Sequence, residues 1–321
     1  MLPVRWTIKI CTLGMLAGAW NAAYGQQTYP VRPIRIVASA AGGGSDFVTR
    51  TIAQKVSLQV EQPVIVDNRG GGSIPGQIVA TAPGDGYTLL YYGSTLWISP
   101  LMRDDVPYNV QRDFAPITLA VSSANIMVVT PSLPVNSVKE FIALAKAKPG
   151  VLNYGSAAAG TANHLSVELF KSMTGTDIVR IPHKGSGPAV ISLLANQVQM
   201  MIAAEGGLAP HVKAGRLRAL GVTSVKRSPL YPDLPAISES VPGYEYTSIW
   251  GIFAPGKTPK PIVDRLNREI VTALNSTDVK AKVNSAGIEV VAGTPEQLAA
   301  AVKQDVVRLG KVIKDNNIRE Q

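Results

Sequence analysis

From residue 30 onward, short β-branched runs alternate with stretches whose apolar residues recur every three or four positions. Ile34-Arg35-Ile36-Val37 reads as a strand, and Ser45 as the cap of a helix carrying Val48, Ile52 and Val56. Val64 to Val66 and Leu89 to Tyr92 read as further strands. Ser137-Val138-Lys139-Glu140 is a capping box, with Phe141, Ile142 and Leu144 as the buried face behind it. Leu152 to Tyr154 is a short strand, after which Thr161 caps a helix bearing Leu165, Leu169 and Met173. Ile178 to Ile181, Val198 to Ile202 and Ala219 to Thr223 follow as strands between helical segments. Thr258-Pro259 opens a helix with Ile262, Leu266, Ile270 and Leu274 at four-residue spacing. Thr294-Pro295-Glu296-Gln297 opens the last one, with Leu298, Val302, Val306 and Leu309 facing inward. Alternation on this scale predicts an α/β protein with mostly parallel sheets flanked by helices. Two long extended passages, Phe114 to Thr130 and Tyr244 to Pro255, interrupt the alternation and suit crossings between two lobes.

The first 25 residues do not fit this rhythm. Arg5 and Lys9 precede a short apolar run from Ile10 to Trp20, and Ala23-Tyr24-Gly25 supplies a small-x-small cleavage pattern. This predicts a soluble, exported protein cleaved near Gly25. Cys11, the only cysteine, leaves with that leader, so disulfides, thiolate metal sites and a cysteine nucleophile are excluded from the remainder. Of the 321 residues 46% are hydrophobic and 17% charged, which excludes intrinsic disorder. The formal charge of +9 falls to +7 once Arg5 and Lys9 are removed. Its cations are dispersed: the longest basic stretch, Lys213 to Arg218, holds three of them among Ala, Gly and Leu. Nucleic acid is therefore not an expected partner.

The chemistry lies in glycine turns that feed helix N-termini. Ala41-Gly42-Gly43-Gly44-Ser45-Asp46 follows the first strand, and Gly155-Ser156-Ala157-Ala158-Ala159-Gly160-Thr161 follows the strand at Leu152. Each turn lets backbone approach a ligand, and the helix end behind it offers unpaired N–H groups and about half a positive charge. Gly93-Ser94-Thr95 adds hydroxyl donors. Two such ends, one in each half of the chain, suit a carboxylate ligand. No P-loop follows Gly42 to Gly44, and Arg69 to Gly76 misses the dinucleotide spacing and reads as a loop. No G-x-S-x-G or H-E-x-x-H occurs, so neither a cofactor nor a metal is expected. His164, just after Thr161, is divided between ligand contact and local capping, whereas His183 is placed in the pocket.

These residues carry a family resemblance. Tyr29-Pro30 with Pro33-Ile34-Arg35, Ala41 to Asp46, Val66-Asp67-Asn68-Arg69, Ala82 to Leu89 and Asp113 to Pro116 occur in order. Ala145 to Gly150, Gly160-Thr161 with His164, Lys184-Gly185-Ser186, Lys213 to Ala219, Pro242 to Tyr244, Trp250-Gly251 and Ala254-Pro255 continue it. Together they resemble the Bug family, the extracytoplasmic solute receptors of tripartite tricarboxylate transporters. The resemblance implies a monomeric type II periplasmic binding protein. One lobe would span 28–126 plus 246–321 and the other 127–245, and the protein would hand a small carboxylate to a membrane permease. The glycine turns and the resemblance together place ligand contact at Ser39, Ala41, Gly42, Gly43, Ser45, Asp46, Gly93, Ser94, Ser156, Ala157, Thr161, His164, His183 and Ala203.

Three positions depart from the family pattern. Ser39 stands where an aromatic is usual, His183 where a tyrosine is common, and Ala203 where an acid is frequent. Two large or charged groups have become small, which predicts a roomier pocket and favours an aromatic carboxylate over an aliphatic di- or tricarboxylate. A receptor for a membrane sensor kinase remains an alternative, as does an exported hydrolase using His183 with Ser156 or Ser39.

Overall fold

The computed structural model describes residues 29–319 except 40, 42, 43, 71, 158, 184, 229 and 230, and gives 205–207 as backbone alone. The expected leader lies outside the described residues. In the first part, β1 (Ile34–Ala38), α1 (Gly44–Val60), β2 (Val64–Asn68), α2 (Ile74–Ala80), β3 (Thr88–Gly93), α3 (Thr95–Met102) and α4 (Val110–Asp113) lead into β4 (Phe114–Val129). Next come α5 (Val138–Ala147), β5 (Asn153–Ser156), α6 (Ala162–Thr174), β6 (Val179–Pro182), α7 (Ser186–Leu194), β7 (Met200–Ala204), α8 (Glu205–Lys213) and β8 (Arg218–Val222). The chain ends through β9 (Thr247–Pro255), α9 (Lys260–Asn275), α10 (Thr277–Ser285), β10 (Glu289–Val290) and α11 (Pro295–Asp315).

Two parallel units form, β2-β1-β3 and β6-β5-β7. Antiparallel strands join them: β3 pairs with β9, β9 with the first part of β4, and the last part of β4 with β7 and β8. The result is a two-lobed α/β fold on one curled sheet. The two extended passages become β4 and β9, which run side by side from Phe114 opposite Pro255 to Ala124 opposite Thr247. Beyond that point buried polar groups tie β4 to β9 and to the residue that follows β8. The Asn125 N–H donates to Thr223 Oγ1 at 2.8 Å, and Asn125 Nδ2 donates to Ser248 Oγ at 3.4 Å.

Strand alternation sorts the core. Ile34 and Ile36 face Val48 and Ile52 of α1 and Leu266 and Ile270 of α9, whereas Val37 faces the other way, toward Trp97. That second cluster runs on through Leu309 and Ile313 of α11 to Tyr154, Leu165 and Phe170, so α11 lies against both α3 and α6. Trp97 Nε1 donates to the buried Asp305 of α11 at 3.3 Å, and Arg308 of the same helix donates to the Glu245 carbonyl at 2.8 Å.

Local expectations shift at two places. Helix α1 begins at Gly44, so Ser45 lies inside its first turn rather than at the cap. The stretch read as a loop ends early, because α2 starts at Ile74 with Pro75 in its first turn, where a missing N–H costs nothing. The last box forms as expected: Thr294 Oγ1 accepts from the Gln297 N–H at 3.2 Å and Gln297 Oε1 accepts from the Thr294 N–H at 2.8 Å. Thr294→Ala should cost about 1 kcal/mol in denaturant unfolding and leave ligand affinity unchanged.

Candidate ligand-binding cleft

The β1–α1 turn is held from behind by Asn68, the last residue of β2. Its Nδ2 donates to the Ser39 carbonyl at 2.8 Å and to Asp46 Oδ1 at 2.9 Å. Arg50 closes the group, pairing with Asp46 at 2.9 Å and donating to Asn68 Oδ1 at 2.6 Å. Asp46, nearly buried, thus acts as a strut, and its charge beside the helix end is offset by Arg50. Ala41 is exposed on the turn, and the expected Gly42 and Gly43 lie outside the described residues.

The β5–α6 turn is built differently. Gly160 takes the left-handed conformation at φ 75°, and its N–H donates to His164 Nδ1 at 3.1 Å. That bond leaves Nδ1 unprotonated. Burial pushes the His164 pKa down to about 4; the Arg180 charge adds to this, Glu168 opposes it and Lys171 contributes least. Ser156 is fully buried, and its Oγ donates to the Ala157 carbonyl at 3.1 Å and accepts from Arg180 Nε at 2.8 Å. Arg180 Nη2 donates to the same carbonyl at 2.9 Å. No carboxylate among the described residues forms an ion pair with Arg180, whose half-buried guanidinium lies beneath the turn. The His183 N–H donates to the Ser156 carbonyl at 2.8 Å, and its buried Nδ1 has no partner among the described residues.

A cavity of about 180 Å³ brings three helix N-termini together. Ser45 lies in the first turn of α1, Ser94 and Thr95 at the start of α3, and Thr161 and Ala162 at the start of α6; all five line it, with Ser39, Gly93, Ser248 and Trp250. Thr161 and Ala162 come from the β5–α6 side and the rest from the β1–α1, β3–α3 and β9 side. Three helix ends of about half a positive charge each, with hydroxyls and no acid among the described lining residues, give this cavity a polarity that suits an anion. Gly93 is required by proximity: a Cβ there would stand 2.9 Å from Trp250 Nε1.

Ser45 and Trp250 also line a neighbouring chamber of about 920 Å³. Tyr91, Val121 and Ile288 form one side of it, and Ala204, Ala209 and Pro210 the other.

Of the expected site residues, Ser39, Ser45, Gly93, Ser94 and Thr161 therefore meet at one cavity. Asp46, Ser156, Ala157 and His164 stand behind the two turns, and Ala41 and His183 line neither cavity. Ala203 is 7% exposed and packs in the β7 core, while its neighbour Ala204 faces the chamber. Sequence reasoning missed Arg180, Ser248, and Trp250 as a lining group, whereas Thr95 lines the cavity as one of the hydroxyl donors its turn was expected to add. An arginine alternating with Val179 and Ile181 in an apolar strand is the one signal that marks Arg180. Among the described residues no group of three or more His, Cys, Asp or Glu could hold a metal, and no helix is long and apolar enough to cross a membrane.

The profile of the family described as tripartite tricarboxylate transporter family receptor matches residues 48–318. The UPF0065 protein in the tcbD-tcbE intergenic region of Pseudomonas sp. (strain P51) is 37% identical over 290 residues, 89% of this chain and 86% of that protein. Among solved structures, R. palustris Rpa4515 with adipate is 35% identical, with a TM-score of 0.80 over 91% of this chain and 99% of that one. MatC of Rhodopseudomonas palustris with bound malate is 27% identical, with a TM-score of 0.77 over 89% of this chain and 100% of that one. The chain belongs to the tripartite tricarboxylate transporter receptor family, whose members are two-lobed periplasmic solute-binding proteins.

Proposed function

We propose that this protein captures a small carboxylate between its lobes and delivers it to a membrane permease of the tripartite tricarboxylate type. The lobes, 28–126 plus 246–321 and 127–245, close about β4 and β9. The observation that carries this reading is the convergence of the N-termini of α1, α3 and α6 on one 180 Å³ cavity. Ser39, Ser45, Ser94 and Thr161 hold the anion, while Ser156, His164 and Arg180 fix the turn behind Thr161. Adipate and malate in two relatives support the ligand class. The adjoining chamber, walled by Trp250, Tyr91 and Val121, supports a ligand with a bulky apolar body, an aromatic acid included. Capture without chemistry fits the Ser156 hydroxyl, which is engaged by Arg180 rather than by a histidine base.

Calorimetry with adipate, malate, benzoate and terephthalate tests the proposal. At least one acid should bind, be recovered unchanged after long incubation, and bind about tenfold more weakly to Thr161→Ala. That factor corresponds to about 1.5 kcal/mol for a hydrogen bond to a charged group. Failure of all four acids to bind, or an unchanged affinity in the variant, removes this cleft from the function.

A further inference from the structure

Where β4 leaves β9 for β7 and β8, one buried residue is bonded in both directions. Asn125 is 1% exposed. Its N–H donates to Thr223 Oγ1 at 2.8 Å, its carbonyl accepts from the Thr223 N–H at 2.9 Å, and its Nδ2 donates to Ser248 Oγ at 3.4 Å. Thr223 is buried just past β8 and is anchored in turn, because its carbonyl accepts from the Tyr246 N–H at 2.9 Å. The neighbouring Glu245 carbonyl is held at 2.8 Å by Arg308 of α11, which pairs with Asp305. Ser248, in β9, lines the cavity at the three helix ends. Asn125 therefore stands one bond from that cavity and one bond from the place where the chain passes between the two parallel units.

A hydroxyl carries one hydrogen and two lone pairs. At Ser248 a lone pair takes the Asn125 bond, which leaves the hydrogen for another acceptor. The described lining holds no acid to take it, whereas a bound carboxylate oxygen would. The bond to Ser248 is also the longest of this group, and it is the one that bridges β4 to β9, so lobe closure has slack to take up there. Such bonds tighten when the complex forms.

We propose that Asn125 is a positioning residue for ligand capture: it aims the Ser248 hydrogen at the bound carboxylate and ties the occupied cavity to the hinge through Thr223. This rests on the carboxylate reading above and deepens it. Ser248 touches the ligand, and Asn125 acts only through Ser248. The consequence is kinetic. Without the Asn125 amide the open lobes meet the ligand as fast as before, but the closed state releases it sooner.

A double-mutant cycle on the whole protein tests this, by calorimetry with adipate, malate, benzoate and terephthalate and by stopped-flow tryptophan fluorescence, to which Trp250 in the lining contributes. Ser248→Ala and Asn125→Ala should each weaken binding about three- to tenfold, with the change in the dissociation rate. The double variant should be no weaker than the poorer single one. Asn125→Ala combined with Thr161→Ala should instead multiply the two factors, because Thr161 reaches the ligand from the β5–α6 side and shares no bond with Asn125. Asn125→Asp keeps the side-chain outline but puts an acceptor where Nδ2 donates, which turns the Ser248 hydrogen away from the cavity. Its loss should exceed that of Asn125→Ala and shrink in the Ser248→Ala background, and this comparison decides the matter if melting shows Asn125→Ala unfolded. Multiplied factors for Asn125 and Ser248, an unchanged affinity in Asn125→Ala, or an Asn125→Asp loss that is the same with and without Ser248 overturns the positioning role. An unchanged affinity in Ser248→Ala, with Thr161→Ala still weakened, also overturns it and leaves the carboxylate pocket standing. Absence of binding by all four acids overturns the pocket and the positioning role together.

Discussion

Gly160→Val should lower carboxylate affinity at least about twentyfold, roughly 2 kcal/mol, and cost about 1–3 kcal/mol of stability. The position is constrained twice. Its backbone is left-handed at φ 75°, which a β-branched residue adopts only with strain. Its Cβ would also stand 2.1 Å from Met102 Cε and 2.8 Å from Sδ. Met102 ends α3 and is nearly buried, so its thioether can turn aside only by repacking against its neighbours. The backbone strain that remains falls on the turn itself, which carries the start of α6 and the N–H bonded to His164. Moving that turn pulls Thr161 away from Ser45 and Ser94, and an anion site depends on all its donors pointing at one place. Met102→Ala in the Gly160→Ala background should return part of the affinity by removing the clash and leaving only the backbone strain. Titration with adipate and thermal melts of the wild type and the three variants check this, and wild-type affinity in Gly160→Val would show that the turn holds no ligand.

The sequence marks this turn and its partner because both depend on local rules. A strand, a glycine turn and a hydroxyl at a helix start are readable at short range, and so is the box at Thr294. Helix α3 escapes because Leu96, Trp97, Ile98 and Met102 are buried on several of its faces, which erases the 3.6-residue signal, and Pro100 reads as a break. The missed site groups arrive from far along the chain. Ser248 and Trp250 reach the pocket only because β9 runs beside β3 and β4, and Arg180 because β6 pairs with β5. Partner choice is equally long-range. Asp46 sits at a helix start exactly as a ligand group would in sequence terms, yet Asn68 and Arg50 engage its carboxylate. Between Ala203 and Ala204, strand parity alone decides which faces the chamber, and a one-residue shift in the strand boundary reverses the choice.

Acidification should weaken the fold through His164. Its pKa is about 4 in the folded chain against an ordinary value of 6.5, so the native state resists a proton that the unfolded chain accepts. Above pH 6.5 neither state carries the proton and stability is unaffected. As pH falls from 6.5 toward 4, the unfolded state alone gains from protonation, and roughly 2–3 kcal/mol is withdrawn. The groups around the ring set this sign: burial dominates, Arg180 and Lys171 repel a positive imidazole, and Glu168 only partly counters them. Glu168 is itself engaged by the Tyr154 hydroxyl at 2.6 Å and by Lys171 at 2.8 Å. A proton on Nδ1 would also turn the acceptor for the Gly160 N–H into a donor, so the ligand turn loosens with the fold. His164→Asn places an amide oxygen where Nδ1 accepts, and has nothing to titrate. Urea unfolding from pH 7 to pH 4.5 should therefore show the wild type losing stability faster than the variant. Parallel curves would mean that the imidazole takes up its proton as easily in the folded chain as in the unfolded one.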